Sequence, residues 1–391
     1  MTALPDLTRA SAYDYDLPPG LVARYPTERR DGSRLLVVPP GAGPEADQPI
    51  EHRSFPDLLE YLAPGDLLVL NESRVLPVRL LGHKPTGAAC EVFLLRPVDG
   101  PDGTPDDLLR WEALVRPGSK LKPGRRVIVA AGELEVFIED GLPDGGRIVR
   151  LETSLGADAA LERYGRIPLP PYLERDEEPE DRERYQTVFA RVPGSVAAPT
   201  AGLHFTPELL ERISRAGVDV TRVTLHVGPG TFRPMEAERV EDHVMHAERW
   251  EVPPEAADAV ARTRARGGRV WAVGTTVVRT LESAAAGDAS DPADRTVRAG
   301  SGETRLFLHP GVPIRVVDGL VTNFHLPRST LLMLVAAMAG YERTMEAYAQ
   351  AVREAYRFYS YGDAMLILPK LPSSRVSAET SGGPAQAPGT A

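Results

Sequence analysis

The sequence predicts an α/β layered main domain with a small antiparallel β-barrel inserted after its N-terminal segment. Two observations predict it. From Asp66 to about Ser154, short β-rich runs recur at regular spacing: "EVFLLRP", "RWEALVRPG", "RRVIVA", "LEVFIE" and "RIVRLE". Pro-Gly, Asp-Gly and Gly-Gly turns separate them, the rhythm of a small barrel. Beyond "YGRIPLPPYLERDEEPEDRERYQ" helices and strands alternate instead, which argues for packed α/β layers. The expected division is 1–64 plus 155–370 for the main domain, 65–154 for the barrel, and a disordered Ser/Gly/Pro/Ala-rich tail at 371–391.

Taken in order, the first fifty residues read as loop ending in a strand at Leu35–Val38. "SFPDLLEYL" reads as a short helix, because Ser54 can cap it and Pro56 fits a first turn. "DLLVLN" and "RVLPVRLLG" open the barrel. The Pro-rich, charged stretch Arg163–Tyr185 reads as an ordered loop or linker. Helices are expected at Pro207–Ala216, Pro254–Arg266, "TVVRTLESAA", "STLLMLVAAMAG" and "ERTMEAYAQAVREAYRF". Strands are expected at Val218–Val227, "RVWAV", "TRLFLHP", "PIRVVDGLVTNFHL" and "AMLIL". Apolar runs or periodicity, bounded by Gly, Pro or capping residues, define each.

Composition narrows the function. One cysteine, Cys90, excludes an internal disulfide, a Cys-rich zinc site and an iron–sulfur cluster, and it fits a reducing cytoplasm. The N-terminus lacks a basic stretch followed by an apolar core, so no secretory signal is expected. The longest apolar run, "LLMLVAAMAG" from Leu331, falls well short of the ~18 residues of a membrane span. A net charge of −10 argues against a generally basic nucleic-acid binder but leaves room for a local basic patch. The four lysines, Lys84, Lys120, Lys122 and Lys370, sit in turn or tail contexts, which disfavours Schiff-base and P-loop chemistry.

Five stretches can carry chemistry. "VAAPTAGLHFTPELLERI" places Thr200, Gly202 and His204 just before a helix. Thr206 is the expected N-cap, Pro207 the first helical residue, and Phe205 with Leu210 a hydrophobic staple. "APTAGLH" is not needed for that. Gly202 allows close backbone approach and Thr200 and His204 offer polar groups; a tight turn around a core histidine is the alternative. "VWAVGTTVVRTLESAAAG" runs a strand through Gly274 into Thr275 and Thr276, either of which can cap a helix that Gly287 ends. Such a junction suits a carboxylate, phosphate or sugar, although plain capping accounts for it equally. "TLHVGPGTFRP" delivers His226, Gly228, Gly230 and Thr231, but Arg233-Pro234 follow in place of a helix, so a dinucleotide loop is excluded. "EDHVMHAE" sets His243 and His246 three apart beside Asp242, on one side of a helix if the stretch is helical. No third ligand completes a metal site there, and acid/base work is the better use. "VTNFHLPRST" carries Asn323 and His325 ahead of a helix capped at Ser329. "FYSYGDAMLIL" sets Tyr359, Tyr361 and Asp363 on a turn where rings could stack a base or pack in the core.

Together with "NESRVLPVRLLG", "YGRIPLPPYLER" and "ERYQTVFA", these motifs stand in one order and spacing from about Tyr13 to Leu368. The set resembles the S-adenosylmethionine:tRNA ribosyltransferase-isomerase family of queuosine biosynthesis. Three positions depart from the family's usual pattern. Asn71-Glu72-Ser73 stands for Asn-Asn-Thr, Ala88-Ala89-Cys90 for Gly-Gly-Lys, and Val277 for the serine of Gly-Thr-Thr-Ser. The second removes a lysine from the barrel.

The resemblance implies transfer and isomerisation of the ribosyl part of S-adenosylmethionine onto 7-aminomethyl-7-deazaguanine at the wobble position of a tRNA. The product is epoxyqueuosine; adenine and methionine leave. S-adenosylmethionine is then a co-substrate, and no metal is expected. A cytoplasmic monomer is the expectation, with no membrane partner. His243 or His246 with Asp242, and His204, are the candidate acid/base groups. Candidate substrate contacts are Asn71, Arg74, Thr200, Gly202, His226, Gly228, Gly230 and Thr231. They continue with Gly274, Thr275, Thr276, Arg279, Asn323 and His325, and with Tyr361 and Asp363 for the modified base. tRNA contact is expected from Arg24, Arg29, Arg30 and Arg34, or from Arg262, Arg264, Arg266 and Arg269. Rival readings are an ordinary methyltransferase, against which the missing Gly-x-Gly fingerprint speaks, and a non-catalytic RNA-binding module.

Overall fold

The computed structural model describes residues 5–42, 47–98, 109–143, 145–228, 235, 237–286 and 295–370. Nine strands form one sheet, in the order Gly300–Thr304, Glu248–Val252, Asp219–Leu225, Leu67–Asn71, Val270–Val273, Gly319–Asn323, Ala364–Ile367, Arg34–Val38, Glu51–Ser54. Four neighbours from Asp219–Leu225 to Gly319–Asn323 run parallel, so their carboxyl ends meet at one edge. That edge is where open α/β sheets bind ligands.

Both faces of the sheet are covered. Leu67, Val69, Val270 and Ala272 face a core built with the helices Pro254–Ala265, Thr275–Ser283, Thr330–Ala339 and Tyr341–Arg353. Leu68, Leu70, Trp271 and Val273 face a second core with the turn Phe55–Glu60 and the helix Pro207–Arg215. The start signals of those two elements form as expected: Asp57 accepts from the Ser54 N–H at 2.9 Å, and Thr206 accepts from the Leu209 N–H at 3.1 Å.

The second domain is a closed six-stranded barrel in the order Arg147–Thr153, Arg110–Arg116, Ala89–Pro97, Arg79–His83, Arg126–Ala130, Leu134–Gly141. Closure is tight where Arg79–His83 meets Arg126–Ala130. A Cβ on Gly82 would lie 2.5 Å from the Ile128 carbonyl oxygen, so only glycine fits. The "DLLVLN" run differs from its expected place. It is the strand Leu67–Asn71, third of the four parallel strands of the large sheet counted from Gly319–Asn323, and barrel pairing begins at Arg79. Its unbroken apolar run is the mark of a strand buried on both faces, whereas true barrel strands such as Leu134–Gly141 alternate buried and half-buried positions. Strand is also absent from 305–318. The backbone N–H groups of Arg315, Val316 and Val317 donate to the Glu282 carboxylate at 2.8–3.0 Å instead of to a neighbouring strand.

Asp66 pins the start of the parallel strands. Its buried carboxylate accepts from the Ala63 N–H, from the Arg269 N–H and guanidinium, and from the Trp271 indole at 3.0 Å. Burial would raise its pKa, but these donors outweigh burial and hold it below 3.8. Asp66→Asn is expected to destabilise the protein by about 3 kcal/mol, since it leaves a partly buried guanidinium without its counter-charge. A depressed carboxylate contributes stability above its unfolded pKa and loses it as pH falls through the folded value. The gap between wild type and variant, followed by denaturant unfolding, should therefore shrink below pH about 4.

Candidate functional site

At the carboxyl edge of the parallel strands a cleft opens, about 640 Å³ counting its solvent-open mouth. Six of the substrate contacts expected from the sequence line it: Thr200, Gly274, Thr275, Thr276, Asn323 and His325. Tyr172, Thr322, Ser329, Tyr359 and Ser360 join them. Among the described residues, no Asp, Glu, Lys or Arg lines this cleft.

Local chemistry shapes its floor. The helix Thr275–Ser283 begins at Gly274, whose φ of 92° needs glycine, and no side chain caps it. The expected capping by Thr275 or Thr276 does not occur, because both lie inside the helix. The Thr276 hydroxyl oxygen accepts from Asn71 at 3.2 Å instead. Uncapped first-turn N–H groups at the positive end of a helix favour an anion. The helix Thr330–Ala339 also starts at the cleft, capped by Ser329 through the Leu332 N–H at 3.2 Å. One wall is aromatic. Tyr172 and Tyr359 have ring centroids 4.6 Å apart, and the Tyr172 hydroxyl bonds Ser360 at 2.6 Å. Tyr359 holds φ of 72°, an unusual conformation for a bulky residue.

Two histidines are kept neutral. Burial pulls His325 down to a pKa of about 3; its Nε2 meets the Thr322 hydroxyl at 2.9 Å. Burial and, second, the Arg357 charge pull His204 down to about 4. His204 sits behind the cleft, between the Ser33 hydroxyl at 2.8 Å and the Asn323 amide at 3.0 Å. The Tyr359 carbonyl, 3.2 Å from Asn323 Nδ2, can only accept, which fixes the amide orientation. His204 Nε2 therefore accepts from Asn323, and His204 Nδ1–H donates to Ser33. Asn323 Oδ1 is left with no hydrogen-bond partner.

The other candidates fall elsewhere. Asn71 is a structural clamp, exchanging bonds with the Leu225 backbone at 3.0 and 3.1 Å. Gly202 packs against Phe189 and Thr187, where a Cβ would come within 2.8 Å of each. Arg74 is on the surface, paired with Glu162 at 2.9 Å. Tyr361 donates to Asp181 at 2.8 Å, and Asp363 accepts from the Arg34 and Arg357 N–H groups, so internal partners engage the pair expected near the modified base. His226 lies against Gly194 with Nδ1 unpartnered, its pKa lowered by burial and by Arg249. Arg279 forms a buried ion pair with Glu248, which also accepts from the Gly228 N–H at 2.9 Å. Gly230, Thr231, Gly287 and the tail 371–391 lie outside the described residues.

The "EDHVMHAE" stretch is not a helix. One 3-10 turn, Val240–Asp242, is followed by extended chain, so His243 and His246 do not share a helical face. His243 stacks edge-on against Phe307 at 5.5 Å, while Asp242 and His246 are exposed. This segment does not line the cleft. A path of contacts joins them, because the Leu306 carbonyl accepts from Arg279 on the cleft helix at 3.1 Å. Tyr172, Ser360 and Glu248 are residues that the sequence reading missed as site candidates. The motifs "YGRIPLPPYLER" and "YRFYSYGDAM" held the signal for the first two. Of the three departures, Glu72 is balanced by Arg191 at 2.9 Å, Val277 fills the core, and Cys90 is buried in the barrel.

Residues 10–367 match the family model described as queuosine biosynthesis protein. The chain is 51% identical to the S-adenosylmethionine:tRNA ribosyltransferase-isomerase of Moorella thermoacetica, over 92% of this chain and 100% of that one. It is 52% identical to the protein of that name from Symbiobacterium thermophilum, again over 92% and 100%. A solved structure, S-adenosylmethionine tRNA ribosyltransferase from Thermotoga maritima, is 38% identical and covers 91% of this chain and 99% of its own, with a TM-score of 0.49.

Histidines held neutral by burial make stability depend on pH. Below pH about 6.5 the unfolded chain takes up protons that native His204 and His325 refuse until about 4 and about 3. Stability should fall as pH drops through that window, by up to about 1.4 kcal/mol per pH unit per histidine. His204→Gln should make the slope measured by urea unfolding shallower; an unchanged slope would contradict the neutral assignment.

Proposed function

The chain belongs to the queuosine biosynthesis protein family, and on that premise we propose the reaction its cleft performs. It transfers and isomerises the ribosyl moiety of S-adenosylmethionine onto the 7-aminomethyl-7-deazaguanine wobble base of a tRNA, and releases adenine and methionine. The observation that supports this site is the uncharged cleft with an open helix start on one side and a neutral histidine on the other.

The chemistry needs a proton acceptor, because a sulfonium acidifies the ribose carbon beside it. Removal of that proton opens the sugar with loss of adenine. The amine of the modified base then adds to the opened sugar, and C5′ bonds to C1′ to close the carbocycle. The sugar oxygen displaces the sulfur from C5′ to form the epoxide, so methionine departs as a neutral thioether. A site without fixed charge and with little water favours loss of the sulfonium charge along this path. His325 is neutral at physiological pH and lines the cleft, so it is our first choice of base. His243 or His246 with Asp242 is the alternative, on a segment whose contacts run to the cleft helix through Phe307, Leu306 and Arg279. The Thr275 and Thr276 N–H groups are assigned to the methionine carboxylate or to ribose hydroxyls. Tyr172 and Tyr359 are assigned to the purine face. Asn323 Oδ1 is assigned to a substrate N–H or O–H, with His204 and Ser33 as positioning residues behind it. Gly202 and Asn71 shape the backbone around these groups, and His226, Gly228 and Arg279 the wall beside them. Cytoplasmic location and action as a monomer complete the reading.

Incubation with S-adenosylmethionine and an anticodon stem-loop carrying the deazaguanine amine should yield free adenine and a heavier oligonucleotide. No adenine from the wild type would contradict the reaction. His325→Ala should lower turnover by roughly 10²- to 10⁴-fold with S-adenosylmethionine affinity little changed. Full turnover in His325→Ala, together with its loss in His243→Ala or His246→Ala, would move the base to that segment.

A further inference from the structure

A tRNA substrate needs a polyanion-binding surface on a chain of net charge −10. The arginine clusters expected to provide it are largely engaged internally. Arg24 pairs with Glu174 and Arg29 with Asp31, and Arg30 donates to the Gln186 and Glu183 carbonyls at 2.8 Å. Arg34 lies over the Tyr356 ring, 3.6 Å from its centroid. Arg264, Arg266 and Arg269 pair with Asp318, Asp219 and Asp66.

One end of the barrel is different. Residues 113–132 carry Arg116, Lys120, Lys122, Arg125 and Arg126, with no acidic residue among them. Only Arg126 pairs with carboxylates among the described residues, those of Glu135 and Glu152. Arg116, Lys120, Lys122 and Arg125 are all exposed. The turn that holds Lys84 reaches the same end, because His83 pairs with Ile128 and Glu91 with Arg116. Three of the four lysines of the chain therefore gather at this end. It is also the end remote from Arg79, whose backbone bonds to Arg166. Of the nearby acids among the described residues, Glu91 is held by Arg79 at 3.1 Å, and the exposed Asp140 on the adjoining strand offsets one of the five cations.

The backbone that displays these cations is fixed. Leu121, between the two lysines, is fully buried in the barrel core. The Arg147 guanidinium donates to the carbonyls of Leu121 at 2.9 Å and Gly118 at 3.0 Å. Gly124 N–H donates to Ile138 at 2.8 Å, and Ile138 N–H to Arg125 at 2.9 Å. Long solvated cations on a rigid loop fit spaced phosphates and carry no base-reading geometry.

We propose that this barrel end, built from Arg116, Lys120, Lys122 and Arg125 with Lys84 beside them, grips the phosphate backbone of the tRNA substrate. The inference rests on the tRNA-modifying reading and assigns its docking surface. The test compares tRNA binding by wild type and by the triple variant Lys120→Gln, Lys122→Gln, Arg125→Gln across a salt series. The variant should bind at least about 10-fold more weakly at low salt, and its log–log salt slope should be shallower by about 2. S-adenosylmethionine affinity and thermal unfolding should not change. Lys120→Arg with Lys122→Arg should bind as wild type, because charge alone is required. A triple variant with wild-type affinity and slope would overturn the barrel surface while leaving the reaction intact. A wild type that binds no tRNA at all would instead overturn the reading beneath it.

Discussion

The Asp66 carboxylate sets where the central strands begin, and the rest of the site follows from it. It ties Arg269 and Trp271 to the start of Leu67–Asn71, while the Asp219 N–H donates to the Asp66 backbone carbonyl at 2.9 Å. Three parallel strands thus leave one level, and their carboxyl ends arrive together. At that upper level Asn71 bonds the Leu225 backbone both ways and reaches Thr276. The cleft helix is thus tied to the end of one central strand through Thr276, and Gly274, with φ of 92°, donates its N–H to the Val321 carbonyl at 2.8 Å.

Charge is handled by segregation. The buried ion pair Glu248–Arg279 and the Asp66–Arg269 pair both lie outside the cleft lining. Among the described residues the cleft is lined by dipoles: uncapped N–H groups, hydroxyls, one carboxamide and an imidazole that burial holds neutral. In the proposed site such groups orient a zwitterionic, sulfonium-bearing ligand without adding a counter-ion that would hold its charge in place. The proposed reaction site and the proposed tRNA grip thus differ in charge: among the described residues the cleft has no charged side chain in its lining, whereas the barrel end is cationic and exposed.

Much of this was legible in the residues. Barrel strands alternated, parallel strands ran unbroken, and Thr206, Pro207 and Ser329 marked helix starts that form. The Gly274–Thr276 junction, Thr200, Asn323 and His325 were all found as turns at strand ends, and all reach one cleft. What stayed hidden depends on long-range contacts. "DLLVLN" looked like one more barrel strand because spacing alone cannot tell a strand covered on both faces from one covered on one. His243 and His246 suggested a helical pair, but the stretch takes only one 3-10 turn before running extended. Tyr361 and Asp363 looked like ligand contacts, although Asp181 and two backbone N–H groups occupy them. The arginines near Arg30 and Arg266 looked free until their distant acceptors were brought beside them.

Crystals of the protein grown with S-adenosylmethionine test the central assignment most directly. The nucleoside should occupy the cleft at the carboxyl edge of the parallel strands. Its carboxylate or ribose hydroxyls should lie within hydrogen-bond distance of the Thr275 and Thr276 N–H groups, with His325 facing the sugar. Ordered nucleoside bound elsewhere, with this cleft holding only water, would contradict it.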